Sequence, residues 1–236
     1  MDREAQQRAA SLVPISVGSM AGRETPMAPA VRCRELSELA LLYEPDVLLV
    51  TAAMSPKPAA CKHAAALAEA GARVSKAEAV CVDGEARSGS LAALTLMRAE
   101  GAEAWAEYVG DVAGVFALLV GARVVGVRQV VADGPHCPRF HVDRVAVRAV
   151  LTVLGPGTEW LPNSDLERDR LGHAGGDDDA TSGLVKSWDR LERAEPGALA
   201  VFKGTAWPGI GHQAVVHRSP PADGTRRVVL TLDWLS

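Results

Sequence analysis

The second half of the chain consists of short valine-rich runs separated by glycine and proline, and this pattern limits the fold more than any other feature. Each run has the composition and alternation of a β-strand, and the runs lie at 122–132, 144–154, 158–162, 198–204, 214–219 and 226–234. Many short strands joined by tight turns are typical of a sandwich or a jelly-roll barrel. We therefore predict a barrel over residues 121–236.

The first half has the spacing of helices instead. Leucines recur at helical intervals from residue 36 to 42, and alanine-rich or amphipathic stretches follow at 58–72, 90–108 and 111–120. The apolar run 46–51 is compatible with a strand or with a buried turn of helix. Residues 1–32 lack clear periodicity and are predicted to be a flexible arm. The predicted fold class is therefore α+β, with a mostly helical segment at 33–120 packed on the barrel.

Composition excludes several classes of partner. The 25 basic and 29 acidic residues give a formal net charge of −4, and aromatic residues make up only 4% of the chain. Such a protein has no basic surface or stacking platform for nucleic acid and no attraction to anionic membranes. No apolar run reaches the ~20 residues of a membrane-spanning helix.

The sequence shows neither a secretion signal nor a closely spaced pair of cysteines. The N-terminal sequence is charged where a secretion signal would be apolar, so a cytoplasmic protein is expected. Its four cysteines form no Cys-x-x-Cys pair, which predicts reduced thiols rather than a zinc ribbon or a redox motif. The sequence leaves the oligomeric state open.

A polar segment rich in glycine and aspartate interrupts the barrel at 163–187. Loops of this length inside a compact domain are usually functional or disordered, and this one is predicted to be a lid over the barrel mouth. Its three consecutive aspartates, Asp177 to Asp179, lack the alternating spacing of a calcium loop. We expect them to be solvated.

The sharpest local feature is His141-Val142-Asp143. Residues i and i+2 of a strand point to the same side, so the imidazole and the carboxylate converge, and two of the three ligands of a 2-His-1-carboxylate iron site could lie there. His217 follows in a later strand, and the basic pair Arg226 and Arg227 comes about ten residues after it. A further imidazole is thus available as a candidate third ligand, and the guanidinium that follows is a cation that can bind a carboxylate.

The other candidate residues have ordinary structural interpretations. Cys137 could bind a soft metal or a sulfur substrate, but a buried structural thiol is favoured. His136 and His212 lack matching spacing, so surface positions are expected. Trp160 is predicted to lie in the core and Trp207 at the rim of the pocket.

Residues 137–234 resemble the double-stranded β-helix of the iron/2-oxoglutarate oxygenase superfamily, which is a jelly-roll, cupin-like barrel. More specifically, CPRFHVD, GPGTEWLP, KGTAWPG, VHRSPP and RRVVLTLDW are similar to a bacterial family known as domain of unknown function 1826. The close resemblance covers roughly the last 100 residues.

The resemblance implies that His141, Asp143 and His217 bind Fe(II), and that Arg227 or Arg226 binds 2-oxoglutarate. These two arginines face opposite sides of a strand, and Arg227 is favoured because it shares its face with Val229 and Thr231. The chain departs from one common superfamily pattern, since no serine lies two residues after either arginine.

The function implied is Fe(II)/2-oxoglutarate-dependent oxidation of a small molecule by O₂. One alternative is an iron oxidase or oxygenase that keeps the three ligands but does not use 2-oxoglutarate. Another is a non-catalytic protein that handles zinc, which a fourth protein ligand would favour.

Overall fold

The structure is a computed structural model, and it describes residues 30–82, 85–95, 98–172, 178–221 and 223–235. Eleven strands are present in these ranges: β1 Ala30–Cys33, β2 Leu49–Ala53, β3 Arg73–Val82, β4 Glu85–Arg87, β5 Val124–Ala132, β6 Val147–Leu154, β7 Glu159–Leu161, β8 Glu192–Arg193, β9 Ala198–Lys203, β10 Val216–Arg218 and β11 Arg227–Trp234. The two α-helices are α1 Pro58–Glu69 and α2 Ala102–Val120. Short 3₁₀ helices lie at Leu36–Tyr43, Ser88–Leu94, Asn163–Asp165, Arg168–Arg170 and Gly211–Gln213.

The strands form a large and a small sheet. The large sheet has the order β1-β2-β9-β6-β11-β5-β3-β4, and the small sheet has the order β10-β7-β8. Residue His141 extends the small sheet as an isolated antiparallel bridge to His217 on β10. The predicted α+β fold is therefore confirmed in its coarse form, as a mixed fold rich in β-sheet.

The large sheet separates the main hydrophobic core from a cavity. Along β6, residues 147, 149 and 151 join the core that also includes Trp105 and Phe116 of α2, whereas Arg148 and Val150 line the cavity. Strands β5 and β11 alternate in the same way. One face of the sheet is thus apolar and covered by helices, and the other carries the polar side chains of a site.

Six strands lie within the six runs predicted for the second half, and helices occur in the three stretches predicted from 58 to 120, although α2 is one continuous helix. The run 46–51 contains part of strand β2. The first half is less helical than predicted, because strands β3 and β4 follow α1. Strand β3 carries lysine, glutamate and alanine, which are weak strand formers, and its pairing with β5 supplies the stabilisation that local propensity lacks.

Residues 1–29 of the predicted arm lie outside the described residues, and 30–32 begin β1. In the 163–187 segment, Leu166 bridges Val185, and Leu166 and Leu184 pack in a small core with Phe140. No described residue of this segment lines the cavity. Its role as a lid stays a prediction. None of the described helices combines the length and apolarity needed to cross a membrane.

Candidate metal centre

A backbone bridge brings the two predicted histidines together. The amide of His141 donates to the carbonyl of His217, and the amide of His217 donates to the carbonyl of His141, both at 3.0 Å. The ring centroids of the two histidines are 4.4 Å apart. Because residues i and i+2 share a side, Asp143 follows His141 into the same space.

These three side chains offer one ligand atom each, and the three atoms lie within 4.8 Å of one another. His217 Nε2 is 3.4 Å from Asp143 Oδ2, and His141 Nε2 is 4.0 Å from Asp143 Oδ1. The side chains of Asp143 and His217 are 8% and 7% exposed, whereas that of His141 is 34% exposed. The three side chains are therefore shielded from solvent at Asp143 and His217 and accessible to solvent at His141.

Backbone carbonyls set the proton positions of both imidazoles. His141 Nδ1 lies 2.9 Å from the carbonyl of Arg139, and His217 Nδ1 lies 3.2 Å from the carbonyl of Val215. A carbonyl only accepts, so each Nδ1 donates the hydrogen. Each neutral ring then presents the lone pair of Nε2 to the group, which is how histidine ligands of metal sites are oriented.

The carboxylate of Asp143 is held by one oxygen only. Arg148 Nη1 donates to Asp143 Oδ1 at 2.7 Å, and Arg148 Nε donates to Asp233 at 2.6 Å. The second oxygen, Asp143 Oδ2, is buried and accepts no hydrogen bond from the described residues. An unsatisfied buried carboxylate oxygen is costly, and a cation between it and the two Nε2 atoms would satisfy it. The donor set therefore fits a divalent metal.

Burial keeps His217 neutral. Desolvation, reinforced by the neighbouring His141, lowers the pKa of His217 to about 4. The ring also lies 4.4 Å from the ring of Phe202, centroid to centroid. A neutral imidazole at physiological pH is the form that binds metals.

The triad faces a cavity of about 80 Å³ between the two sheets. Its walls come from alternate residues of β5, β6 and β11, together with the loop before His141 and the strand that carries His217. The lining residues are Arg128, Val130, Ala132, His136, Cys137, His141, Asp143, Arg148, Val150, Thr158, His217, Arg218, Ser219, Arg227, Val229 and Thr231.

The structure separates the two candidate cosubstrate arginines. Arg227 is buried in the cavity wall beside Val229 and Thr231, as strand parity predicts. Arg226 points away, donates to the carbonyl of Ala68 at the end of α1 and pairs with Asp133. Of the two, only Arg227 can reach a ligand in the cavity.

Arg227 is held by a backbone carbonyl and two hydroxyl groups rather than by a carboxylate. It donates to the carbonyl of Pro156 at 2.8 Å, to Ser219 Oγ at 2.9 Å and to Thr152 Oγ1 at 3.4 Å. No ion pair within the described part of the chain includes it. Burial lowers the pKa of Arg227 to about 10, so the guanidinium is charged at neutral pH and available to an anion.

The residues that support these groups were not predicted from the sequence. Arg148 is a charged residue in an otherwise mostly apolar strand. The alternation of that strand places its side chain on the cavity face, and this signal is visible in the sequence. Ser219 lies two residues after His217. Its hydroxyl bonds to Arg227, although the chain lacks the serine that commonly follows the arginine in the superfamily. Thr152 comes from a strand 75 residues earlier in the chain than Arg227, so only the fold brings the two together.

Three expectations about single residues are wrong. Cys137 is exposed and lines the cavity, because the loop before His141 runs along the cavity mouth instead of the core. Trp207 packs on Tyr43 and under Lys203 rather than at the cavity. Asp179 is buried, not solvated. The prediction that Trp160 lies in the core is confirmed.

Asp179 connects the 163–187 segment to the residues before His141. Its Oδ2 accepts from the amide of Phe140 at 2.9 Å and from Arg218 Nη1 at 3.1 Å, and its Oδ1 lies 3.5 Å from Arg139 Nε. Since the carbonyl of Arg139 orients His141, this carboxylate supports a candidate ligand through one intermediate residue.

We expect Asp179→Asn to lower the free energy of unfolding by about 1.5–3 kcal/mol, the usual contribution of a hydrogen bond to a charged group. Loss of an outer support should also weaken Fe(II) binding by about 10-fold. Urea denaturation and anaerobic metal titration measure the two effects. Asp178→Asn is the matched control, since Asp178 is exposed. Equal behaviour of the two variants would contradict a supporting role for Asp179.

A comparison with known families shows the family of the chain. Residues 34–233 match the family described as protein of unknown function (DUF1826). The chain belongs to the DUF1826 family. The match includes both α-helices as well as the strands that line the cavity, so it is not confined to the barrel; β1 lies before it. No curated protein matches this DUF1826 chain significantly.

Several solved structures are similar to this DUF1826 protein. The dioxygenase for auxin oxidation (DAO) in rice has 16% identity and a TM-score of 0.48, over 88% of this chain and 83% of that one. The dioxygenase for auxin oxidation 1 from Arabidopsis thaliana, in a complex with 2-oxoglutarate, has 13% identity and a TM-score of 0.48, over 88% and 92%. A Pseudomonas putida prolyl-4-hydroxylase has 16% identity and a TM-score of 0.44, over 84% and 96%. Likenesses at this level assign no chemistry to this chain.

Proposed function

We propose that this protein is an Fe(II)/2-oxoglutarate-dependent dioxygenase that oxidises a small molecule. The observation that carries the proposal is the convergence of two imidazole Nε2 atoms and the unsatisfied Asp143 Oδ2 on a cavity that also holds Arg227. This donor set, open on one side, is typical of mononuclear iron oxygenases. The strand order supports the proposal. The part of the large sheet formed by β5-β11-β6-β9 lies opposite the small sheet β10-β7-β8, to which His141 is bridged, and two facing sheets of this kind make a jelly roll.

Several polar residues at the cavity have defined roles in this proposal. His141, Asp143 and His217 would hold the metal, which when bound supplies the O₂ chemistry that side chains lack. Arg148 keeps one oxygen of Asp143 engaged, so the other would remain free to bind the metal. Arg227 would bind the far carboxylate of 2-oxoglutarate, and Ser219 and Thr152 hold its guanidinium in place.

The arrangement favours an enzyme over a closed zinc site. A structural zinc site has four protein ligands, and the described residues place no fourth His, Cys, Asp or Glu in the group. The partly exposed side of the group, next to His141, leaves room for small ligands that do not come from the protein. A small substrate would enter on that side.

The test uses anaerobically purified full-length protein. Metal analysis after dialysis against Fe(II) should give one iron per chain, and added 2-oxoglutarate should produce the visible absorption of an iron-bound 2-oxo acid. On admission of O₂, 2-oxoglutarate should be consumed and succinate formed. Iron binding without a response to 2-oxoglutarate would indicate the oxidase that does not need it. Zinc retained in preference to iron, with no turnover, would contradict the proposal.

A further inference from the structure

We propose that Arg128 binds a carboxylate of the primary substrate, so that this enzyme acts on a small carboxylic acid. The inference rests on the proposed function and adds the substrate class to it. It depends on which of the cavity's cationic groups are already neutralised by the protein and on where the remaining ones lie.

Four arginines line the cavity, and two of them are paired with acids. Arg148 bonds to Asp143 and Asp233, and Arg218 bonds to Glu159 and Asp179. Their charges are compensated within the protein, and neither guanidinium needs a ligand.

The other two, Arg227 and Arg128, form no ion pair with any residue that the structure describes. Arg128 Nε is buried and has no hydrogen-bond partner in those ranges. A buried donor and an uncompensated charge both destabilise a fold. Two cavity arginines therefore remain for anionic ligands, and the cosubstrate accounts for one.

The two arginines lie at opposite ends of the same wall. In the pairing of β5 with β11, Arg227 is opposite Ala132 and Arg128 is opposite Thr231. The rows are four residues apart, which corresponds to about 13 Å along the strands. One anion the size of 2-oxoglutarate held at Arg227 would leave the Arg128 end to a second ligand.

Arg128 lies at the end nearer the metal ligands. Thr231 pairs with Val150 of β6 as well as with Arg128, and Arg148, which holds Asp143, precedes Val150 by two residues on the same face. A substrate carboxylate at Arg128 would therefore place the rest of a small molecule towards the triad. The planar guanidinium can bind both carboxylate oxygens at once.

The adjacent strand β3 places one base and one acid near Arg128, and neither forms an ion pair with it. Lys76 of β3 pairs with Arg128 in register and adds a second positive charge to the row. Glu78, two residues along β3 on the same face, makes no ion pair with Arg128. Lys76 and Glu78 are both exposed, carry opposite charges and lie outside the cavity lining, so they leave the charge of Arg128 available to an anionic ligand.

The experiment measures binding of simple probes to the anaerobic protein loaded with Fe(II) and saturated with 2-oxoglutarate. The probes are acetate, butyrate and benzoate, with acetamide, butyramide and benzamide as uncharged counterparts and phenyl phosphate as another anion. Calorimetry should show binding of at least one carboxylate, and its amide should bind ~10-fold or more weakly. Arg128→Gln should weaken carboxylate binding by ~10–150-fold, the range for one charged hydrogen-bonded contact.

Arg226→Gln is the matched control, because it removes the same charge from the opposite face of the same sheet. It should bind the carboxylates like the unaltered protein. Equal binding of acid and amide, no binding of any carboxylate, binding of phenyl phosphate alone, or unchanged affinity in Arg128→Gln would each overturn the inference. The absorption of bound 2-oxoglutarate distinguishes these results from failure of the proposed function: if it persists in Arg128→Gln, only the substrate contact is in question.

Discussion

Asp143→Ala protein should lose stoichiometric Fe(II) binding, with an affinity lower by ~100-fold or more. Replacing an outer support of a metal ligand typically costs 10–100-fold, and a ligand itself should cost at least as much. Removal of Asp143 also leaves Arg148 with Asp233 alone. Anaerobic equilibrium dialysis with metal analysis measures the effect, and His141→Ala and His217→Ala should behave alike.

The control for this series is His136→Ala. His136 lines the same cavity but does not belong to the three-residue group, so its loss should leave one iron per chain. Circular dichroism separates loss of metal from loss of fold, and the sheet should persist because the main core lies on the other face. Full iron occupancy in Asp143→Ala would show that the triad is not the metal centre.

The sequence predicts the positions of strands, and the side to which the candidate site residues point, where a local rule governs them. His141 and Asp143 are two residues apart on an extended segment, and Arg226 and Arg227 alternate on a strand, so parity alone distinguishes their faces. Both expectations about direction agree with the structure. The local rule works because strands have a fixed period of two.

Residues that act through distant contacts could not be predicted in this way. Thr152 and Ser219 meet Arg227 because β6, β10 and β11 lie around one cavity, and Asp179 meets Phe140 from a segment 39 residues away. Strand β3 forms because β5 provides a partner, although its lysine and glutamate argue against a strand. In each case a contact between distant segments decides the outcome, and no short window of sequence contains it.

Arg227→Leu should weaken 2-oxoglutarate binding by ~10–150-fold while Fe(II) binding persists. The guanidinium is buried in the cavity wall and bound to no carboxylate of the described residues, and hydrogen bonds to charged groups contribute about 1.5–3 kcal/mol. Titration of 2-oxoglutarate into the anaerobic iron protein, followed by visible absorption, gives the affinity. Arg227→Lys keeps the charge but loses the planar pair of donors, so its affinity should be intermediate.

Arg226→Leu is the internal control for that titration. Arg226 bonds to the end of α1 and to Asp133 on the far side of the sheet, so its loss should affect stability slightly and 2-oxoglutarate affinity hardly at all. Because Arg227 is buried and bonded to Pro156, retained iron binding shows that Arg227→Leu is folded. If both leucine variants bind 2-oxoglutarate like the unaltered protein, neither arginine is the anchor, and an iron enzyme that takes its electrons from the substrate fits the cavity better.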